Sequence, residues 1–459
     1  MSWRSDVRPV WALAAALALL APAAVAVVDG PAVPPMTLAE CVKEALAYNP
    51  ALRADAARAS ASGYAADAAR AARFPRIDLA SDYIYSDRPQ RHVQPSFPGE
   101  IIRFDNDIAQ TIAEIRVPLF SGGRLVAKQK AAELAAAAGR YNLEGSRQDL
   151  VLNVTAAYLA AVEQESVIRA IDASLSALQE QLKVAEAMKA VGRIAPLDLL
   201  KVQVRVAAVE QRRSKASRDG ELIAVHLAAL LGRDPQVPLP LVSGLPALPP
   251  MEVPDMDALL AETLAQSPGL NALKQDAARR RAELTQVGAE RWPALDAFGR
   301  WTTRSVVSSA DSPLPGTLDF FTTGVTLKLP IWTGGELTAR RRQAQAFWNE
   351  AVERERSFEL QIKERVRREV SGLAEASDRS GVAAQAVGQA REAFEIERTN
   401  YELGRATIND FLDAQAAFLD AELALAQARH DVAFSTVALA WAAGRDLEEL
   451  LTGEKGEGR

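Results

Sequence analysis

A tandem repeat of about 200 residues constrains the fold of this chain more than any other feature. Five pairs of landmarks recur along its 459 residues, the first two separated by 218 positions and the last three by 212. The pairs are Asn49-Pro50 and Ser267-Pro268, Phe74-Pro75 and Trp292-Pro293, Val117-Pro118 and Leu329-Pro330, Gly192-Arg193 and Gly404-Arg405, and Gly232-Arg233 and Gly444-Arg445. A recurrence of this kind indicates one structural unit that is built twice.

The landmarks also predict the domain boundaries. We expect a first repeat over residues 27–232, a second over 255–444, and a C-terminal tail over 445–459. The segment 233–254 between the repeats is rich in proline. Proline excludes regular helix and stiffens an extended chain, so this segment is predicted to be a semi-extended linker.

The first 26 residues have the pattern of a secretory signal peptide. Arg4 and Arg8 precede an apolar run from Val10 to Leu20, and Ala24-Val25-Ala26 has the small-x-small pattern that signal peptidase recognises. The apolar stretch is also just long enough for an uncleaved anchor, but the cleavage motif favours removal after Ala26. The mature chain is therefore expected outside the cytoplasm.

Two proline-free stretches predict very long helices. Arg124–Val191 and Glu336–Leu403 are each 68 residues long, and as helices they would span roughly 100 Å. A turn at Gly192 or Gly404 is predicted to follow, and then a return helix. Apolar residues along these helices recur at steps of three and four, which is typical of coiled-coil packing.

Each repeat is expected to open with a helix, over Thr37–Arg73 or Asp255–Arg291. Pro50 and Pro268 mark a break or a first turn near the start of these helices. An aromatic residue followed by proline then ends each helix, because the residue before a proline disfavours helical backbone angles.

Between the helices, four segments alternate apolar and polar residues, which predicts strands with one apolar and one polar face. They are residues 76–86, 108–119, 294–305 and 320–330, arranged as two hairpins with loops near 87–106 and 306–319. Strands of about ten residues have the length that crosses a membrane. Phe74, Phe120, Trp292 and Trp332 flank the joints between strands and helices, where aromatic residues are expected at a membrane interface.

Four strands are too few to close a membrane barrel, which needs at least about eight, because an open edge leaves backbone groups unpaired in lipid. The chain must then oligomerise, and two copies would supply eight strands while three would supply twelve. The polar faces would line a water-filled lumen. The alternative is a soluble sheet at the end of a coiled coil, in a periplasmic structural or adaptor-like protein without a membrane barrel.

Composition argues against several other classes of protein. The 59 acidic residues exceed the 53 basic ones, and no basic tail is present, so nucleic-acid binding is not expected. Cys41 is the single cysteine and the three histidines form no ligand-spaced pair, so we predict neither a metal site nor a cofactor site. Phosphate-binding, zinc-protease and nucleophile-elbow motifs are absent, so we expect no catalytic residues and no enzymatic activity.

Together the motifs resemble those of the TolC-like outer-membrane efflux protein family. The resemblance rests on Leu38-Ala39-Glu40, Asn49-Pro50, the run Val117–Gly123 and the run Gly404–Ala414, which occur in order across the mature chain. It implies a membrane α+β fold, in which a long α-helical coiled-coil barrel of two tandem repeats joins a transmembrane β-barrel. It further implies a homotrimer, with four strands per chain and twelve in the barrel.

The resemblance implies a function and partners as well. The protein would be a passive exit duct for efflux or type I secretion. It would lie in the lipid of the cell outer membrane, with its helical tunnel in the periplasm. An inner-membrane pump or ABC exporter would drive export through a periplasmic adaptor protein.

The resemblance also implies functional residues, which are assigned to the positions of this sequence that match the family's motifs. The two turns after the long helices resemble the periplasmic tips that bind the adaptor, with residues Val191, Gly192, Arg193, Ile194, Leu403, Gly404, Arg405 and Ala406. Independently of any adaptor, each glycine would allow the positive φ of a tight turn.

Asp410 and Asp413 share a helix face and match aspartates that form closing rings in trimers of this family. The alternative is that their negative charges only interact favourably with the dipole at the N-terminal end of the helix. Tyr401 and Asp198 match residues of the network that holds this gate closed in the family. The family often has a basic residue where this chain has Ala406, so the lock is expected to be weaker or to run through Arg405.

Overall fold

The computed structural model describes residues 35–85, 87, 91–93, 101–103, 107–237, 239–246, 255–306 and 317–452. The predicted signal peptide, residues 1–26, lies outside them. Within the described part, the order of two helices, a strand pair, a very long helix and a return helix occurs twice. No described helix is both long enough and apolar enough to cross a membrane.

Each repeat opens with two helices, where the sequence predicted one helix containing a break or a first turn. These are α1 (Leu38–Tyr48) and α2 (Pro50–Ala71), with α5 (Met256–Gln266) and α6 (Pro268–Ala289) in the second repeat. α1 begins with a capping box between Thr37 and Glu40. Asn49 and Ser267 cap α2 and α6, and the proline that follows each needs no hydrogen-bond acceptor at the first helical position. The break therefore falls at these two caps.

Four of the six described strands form one antiparallel sheet. The strands are β1 (Arg76–Tyr85), β2 (Arg91–Val93), β3 (Ile101–Arg103), β4 (Asp107–Phe120), β5 (Ala294–Val306) and β6 (Thr317–Lys328). The sheet order is β1-β4-β5-β6, so the pairing of β4 with β5 joins the two repeats. β2 and β3 pair only with each other, in a segment where the sequence predicted a loop. Within the described residues, the outer edges of β1 and β6 have no partner strand.

The long helices are α3 (Arg124–Ala190) and α7 (Glu336–Glu402), each of 67 residues, or about 100 Å. They return as α4 (Pro196–Leu231) and α8 (Ile408–Ala442). A short helix, α9 (Leu447–Thr452), lies in the segment that was expected to be a tail.

The helices lie side by side in two tiers. Next to the sheet, α3 packs between α2 and α6, and α6 packs against α7. Farther from the sheet, α3 packs between α4 and α8, and α8 packs against α7. The lateral order is therefore α2-α3-α6-α7 near the sheet and α4-α3-α8-α7 near the turns, with α3 and α7 running through both tiers.

A core halfway along α3 joins the two tiers. α1 and α9 pack there against α3, α4 and α8. Met36 forms a parallel bridge with Leu241, so the described linker runs as an extended strap beside α1. Cys41 is fully buried, and this burial raises the pKa of its thiol to about 12. The thiol is therefore protonated at neutral pH and unreactive.

Candidate functional site

One face of the four-stranded sheet is apolar and exposed. Cross-strand partners share a face, and the register places Ile77 opposite Ile115 on β1 and β4. Ile77, Leu79, Val325 and Leu327 each expose between 61% and 74% of their surface. Towards the loops the same face also carries Ser81, Thr111, Thr303 and Asp319. An exposed apolar surface over the half of a sheet nearer the helices indicates contact with an apolar phase or a partner.

The opposite face of the sheet is charged. Glu114 on β4 accepts hydrogen bonds from Arg116 on the same strand and from Arg300 on β5, with N–O distances of 2.6 Å in both cases. Arg76 and Asp78 form an ion pair of 2.8 Å on β1. These residues alternate with the apolar ones, so the sheet has a polar side and an apolar side, as a water-filled membrane barrel needs.

The four aromatic residues predicted at the joints between strands and helices are exposed there. Phe74 exposes 61% of its surface, Phe120 49%, Trp292 64% and Trp332 88%. Trp292 also contacts the backbone of the other repeat, because a Cβ atom on Gly122 would lie only 2.5 Å from its Cβ. Gly122 has a φ of +60°. This joint thus depends on a glycine both for its backbone conformation and for its close approach.

We expect Gly122→Ala to lower the free energy of unfolding by about 2–3 kcal/mol, since it combines a left-handed backbone with a steric clash. Thermal unfolding of the detergent-solubilised protein, followed by circular dichroism, measures the loss. Gly372→Ala on α7 is the matched control, because its added Cβ would meet nothing within 4 Å and should leave stability equal or slightly higher. Equal stability of the two variants would contradict this packing.

The two turns between the long helices lie at the end of the molecule opposite the sheet. Gly192 and Gly404 have φ values of +73° and +71°. The N–H of Arg193 donates to the carbonyl of Met188, and the N–H of Arg405 donates to that of Asn400, a helix-ending motif that requires this backbone. The other residues predicted at the tips are placed there too: Val191 and Leu403 are 71% and 60% exposed, while Ile194 and Ala406 are half-buried. Ile194 packs inward against the helix core.

The two gate candidates, Asp410 and Asp413, lie in the first two turns of α8. The Asp410 carboxylate accepts hydrogen bonds from the hydroxyl of Thr407 at 2.7 Å and from its N–H at 2.9 Å. These bonds lower the pKa of Asp410, so it caps the helix as a carboxylate. The Asp413 side chain is 82% exposed, with a guanidinium nitrogen of Arg205 on α4 at 3.8 Å. Asp413 is therefore the freer of the two charges.

Tyr401 packs under the same helix end. Its ring centroid lies 5.6 Å from that of Phe411. Burial raises the pKa of Tyr401, and the charge of Asp198 acts in the same direction. Asp198 also pairs with Lys201 at 3.7 Å. The side chain of Tyr401 also forms a hydrogen bond with that of Gln181, and the role of Tyr401 and Asp198 in a gate stays a prediction.

Arg405 is exposed at the second tip and forms no ion pair within the described residues. Asp413 pairs with Arg205 instead, a contact that was not predicted from the sequence. An equal spacing in the sequence could have predicted this contact, since Arg205 and Arg212 are seven residues apart, as are Asp413 and Asp420. Arg212 and Asp420 also pair, at 3.0 Å. A spacing of seven returns to the same face of a coiled coil, so the two pairs form successive links between α4 and α8.

Among the described residues, no group of three His, Cys, Asp or Glu side chains is arranged to hold a metal ion.

A family model described as outer membrane efflux protein matches residues 41–233 and 259–445. The chain is 25% identical to the outer membrane protein TolC of Vibrio cholerae over 415 residues, which cover 90% of this chain and 91% of that protein. It is 26% identical to the outer membrane efflux protein BepC of Brucella suis over 335 residues, covering 71% and 70% of the two chains.

The fold is similar to that of a solved structure, the CmeC outer membrane channel of Campylobacter jejuni. The two superpose with a TM-score of 0.79 at 16% sequence identity, covering 91% of this chain and 87% of that one.

Proposed function

The chain belongs to the outer membrane efflux protein family, and from this membership we propose how its residues build a working duct. The protein is an outer-membrane efflux or secretion channel, with its helical tunnel in the periplasm. The further steps of the proposal are a homotrimer, a twelve-stranded barrel, a carboxylate gate and adaptor-binding tips.

The observation that carries the proposal is the two-faced sheet with open edges. In lipid, unpaired backbone groups along β1 and β6 would each cost several kcal/mol, so the sheet must continue into another copy. When β6 of one copy pairs with β1 of the next, three copies give twelve strands around a charged lumen. A periplasmic coiled-coil protein would instead leave the apolar sheet face in water.

The helices support closure by copies of the same chain. In the tier near the turns, the lateral order α4-α3-α8-α7 leaves α4 and α7 at its two ends. Both ends expose apolar residues at coiled-coil spacing: Leu197, Leu200 and Val204 on α4, and Val382 and Ile396 on α7, each more than half exposed. We infer that α7 of one copy packs against α4 of its neighbour, which closes a ring of twelve helices below the barrel.

This interface predicts a cysteine cross-link. Leu200 lies four residues after the start of α4 and Ile396 six before the end of α7, so both lie about 6–9 Å above the turns. Leu200→Cys with Ile396→Cys should give covalent trimers on oxidation, seen on a denaturing gel. Leu200→Cys with Val382→Cys is the control, since position 382 lies about 20 Å higher. Native Cys41 is buried and should not interfere. Monomers from the first pair, or equal trimers from both, would contradict the interface.

At the tips, we propose that Asp410 and Asp413 form two carboxylate rings in the trimer and that Tyr401 and Asp198 hold them in place. Arg205 supplies the neighbouring positive charge that Ala406 does not. The exposed apolar side chains of Val191 and Leu403 give a periplasmic adaptor a hydrophobic contact, with Gly192, Arg193, Gly404 and Arg405 forming the turns between them. Binding there would move the helix pairs apart and widen the gate. An inner-membrane pump or exporter supplies the energy.

Cell fractionation tests the proposal against the periplasmic alternative. We expect the protein in the outer-membrane fraction after a salt wash, and as an oligomer on gels that dissociates on heating. Release by salt, or recovery with the inner membrane, would contradict the proposal. Sequencing the mature N-terminus checks the predicted cleavage after Ala26.

A further inference from the structure

Basic residues are concentrated at the end of the helices that meets the sheet. Four segments join the strands to the helices, and together they contain ten basic and two acidic residues, whereas the whole chain has 53 basic and 59 acidic ones. The segments are residues 68–76, 121–131, 284–293 and 331–342. This end of an acidic protein is thus strongly positive.

Most of these cations are not used inside the protein. Arg76 and Arg340 form ion pairs, and Arg73 and Arg291 form hydrogen bonds. The other six have neither kind of partner within the described residues, and they are called the basic collar below: Arg70, Arg124, Lys128, Lys130, Arg341 and Arg342. All six are exposed except Arg124, which is half-buried. Like charges held together without counter-charges indicate an external anionic partner.

The collar lies at the depth of lipid headgroups. Lys130 is six residues after the start of α3, and Arg342 is six after the start of α7, so both lie about 9 Å along their helices from the end that meets the sheet. The headgroup region beyond the hydrocarbon is about 5–8 Å thick, and a charge acts over a further Debye length of about 8 Å. Trp292 and Trp332 are exposed at the same level, as expected at a membrane interface.

We propose that the basic collar binds the phosphate groups of anionic phospholipids in the membrane leaflet that faces the periplasm. The inference rests on the proposed function, because it requires the sheet to lie in a membrane. A lysine or arginine near an anionic surface contributes about 1 kcal/mol, equivalent to about a fivefold preference for an anionic over a zwitterionic headgroup. The collar therefore seats the channel at a defined depth and selects its lipid neighbours.

The test compares lipid selectivity in reconstituted vesicles. Spin-labelled phosphatidylglycerol and phosphatidylcholine each report a fraction of lipid immobilised by the protein, and their ratio is a relative association constant. For the natural chain we expect about a fivefold preference for phosphatidylglycerol in low salt, falling as salt is added. The collar variant neutralises the five collar cations on α3 and α7, leaves Arg70 of α2 in place, and is expected to bring this ratio close to one; it carries Arg124→Gln, Lys128→Gln, Lys130→Gln, Arg341→Gln and Arg342→Gln.

A matched control removes the same charge from exposed positions farther from the sheet, and should keep the preference. It carries Lys215→Gln, Arg218→Gln, Arg356→Gln, Lys363→Gln and Arg367→Gln, none of which forms a described ion pair. If the full collar variant does not assemble, the α3 and α7 substitutions are tested separately, and each should lower the preference in part.

An unchanged preference in the collar variants, or an equal loss in the control, would overturn the proposal. A fall in anion permeability with lipid preference unchanged would also overturn it, by placing these cations in the lumen. Absence of any immobilised lipid with the natural chain would instead contradict the membrane placement itself.

Discussion

Val325→Arg will prevent the protein from assembling in the outer membrane. Val325 lies on the apolar face of β6, 61% exposed, three residues from the helical end of the strand. In a strand tilted by about 40° this position lies about 8 Å inside the hydrocarbon, where the cost of an arginine on the lipid face falls between the roughly 2–4 kcal/mol of the midplane and the roughly 0–1 kcal/mol of the interface. In the proposed trimer, three copies would carry this cost in one barrel. The expected result is loss of the heat-sensitive oligomer from the outer-membrane fraction.

Thr326→Arg is the matched control for this prediction. Thr326 is the next residue of the same strand and is also exposed, but it faces the charged side of the sheet. The added guanidinium would then lie in a water-filled lumen, so assembly should proceed at close to the natural level. Equal assembly of the two variants, or a greater loss for Thr326→Arg, would show that the sheet faces have been assigned the wrong way round.

Asp413→Asn will weaken block of the channel by trivalent cations at least about tenfold. Three copies of this exposed carboxylate would surround one axis, and each contributes about 1 kcal/mol to a cation some 4 Å away even in water. Asp413 is preferred to Asp410 for the test because Asp410 caps α8 through Thr407, so its removal would also disturb the helix end. Block is measured with single channels in a planar bilayer.

Asp378→Asn serves as the control for charge removal. Asp378 is exposed on α7 and lies 24 residues before the end of the helix, so it is about 35 Å from the tip. Its removal should change block less than twofold if the gate is local to the tip. Unaltered block in Asp413→Asn would contradict the role of this ring, and a similar change in both variants would point to the overall charge of the tunnel.

The features that local sequence controls were predicted well. The long runs without proline predicted α3 and α7, and the glycines at their ends predicted where these helices begin and turn. A helix continues until a residue with unusual backbone preferences ends it. Alternation of polar and apolar residues predicted the strands of the antiparallel sheet. The motifs also identified the family, since they combine these local constraints in one order.

The features that depend on tertiary contacts were missed. The sequence predicted a break or a first turn at Pro50, and the break occurs there, but it did not predict the short helix α9 in the segment after Gly444. Most clearly, the partner of Asp413 is Arg205, 208 residues away along the chain. Proximity in the sequence favoured Arg405, but α4 and α8 both pack against α3, and this arrangement brings the guanidinium of Arg205 to the Asp413 carboxylate.

Planar-bilayer conductance of the purified mature protein, with the mass of the same preparation determined by light scattering, tests whether the chain forms a trimeric channel. We expect a trimer that forms cation-selective channels, and block by multivalent cations from one side only, because the proposed carboxylate rings would lie at one end of the tunnel. A stable particle of another stoichiometry, or a trimer that conducts no current in the bilayer, would contradict this expectation.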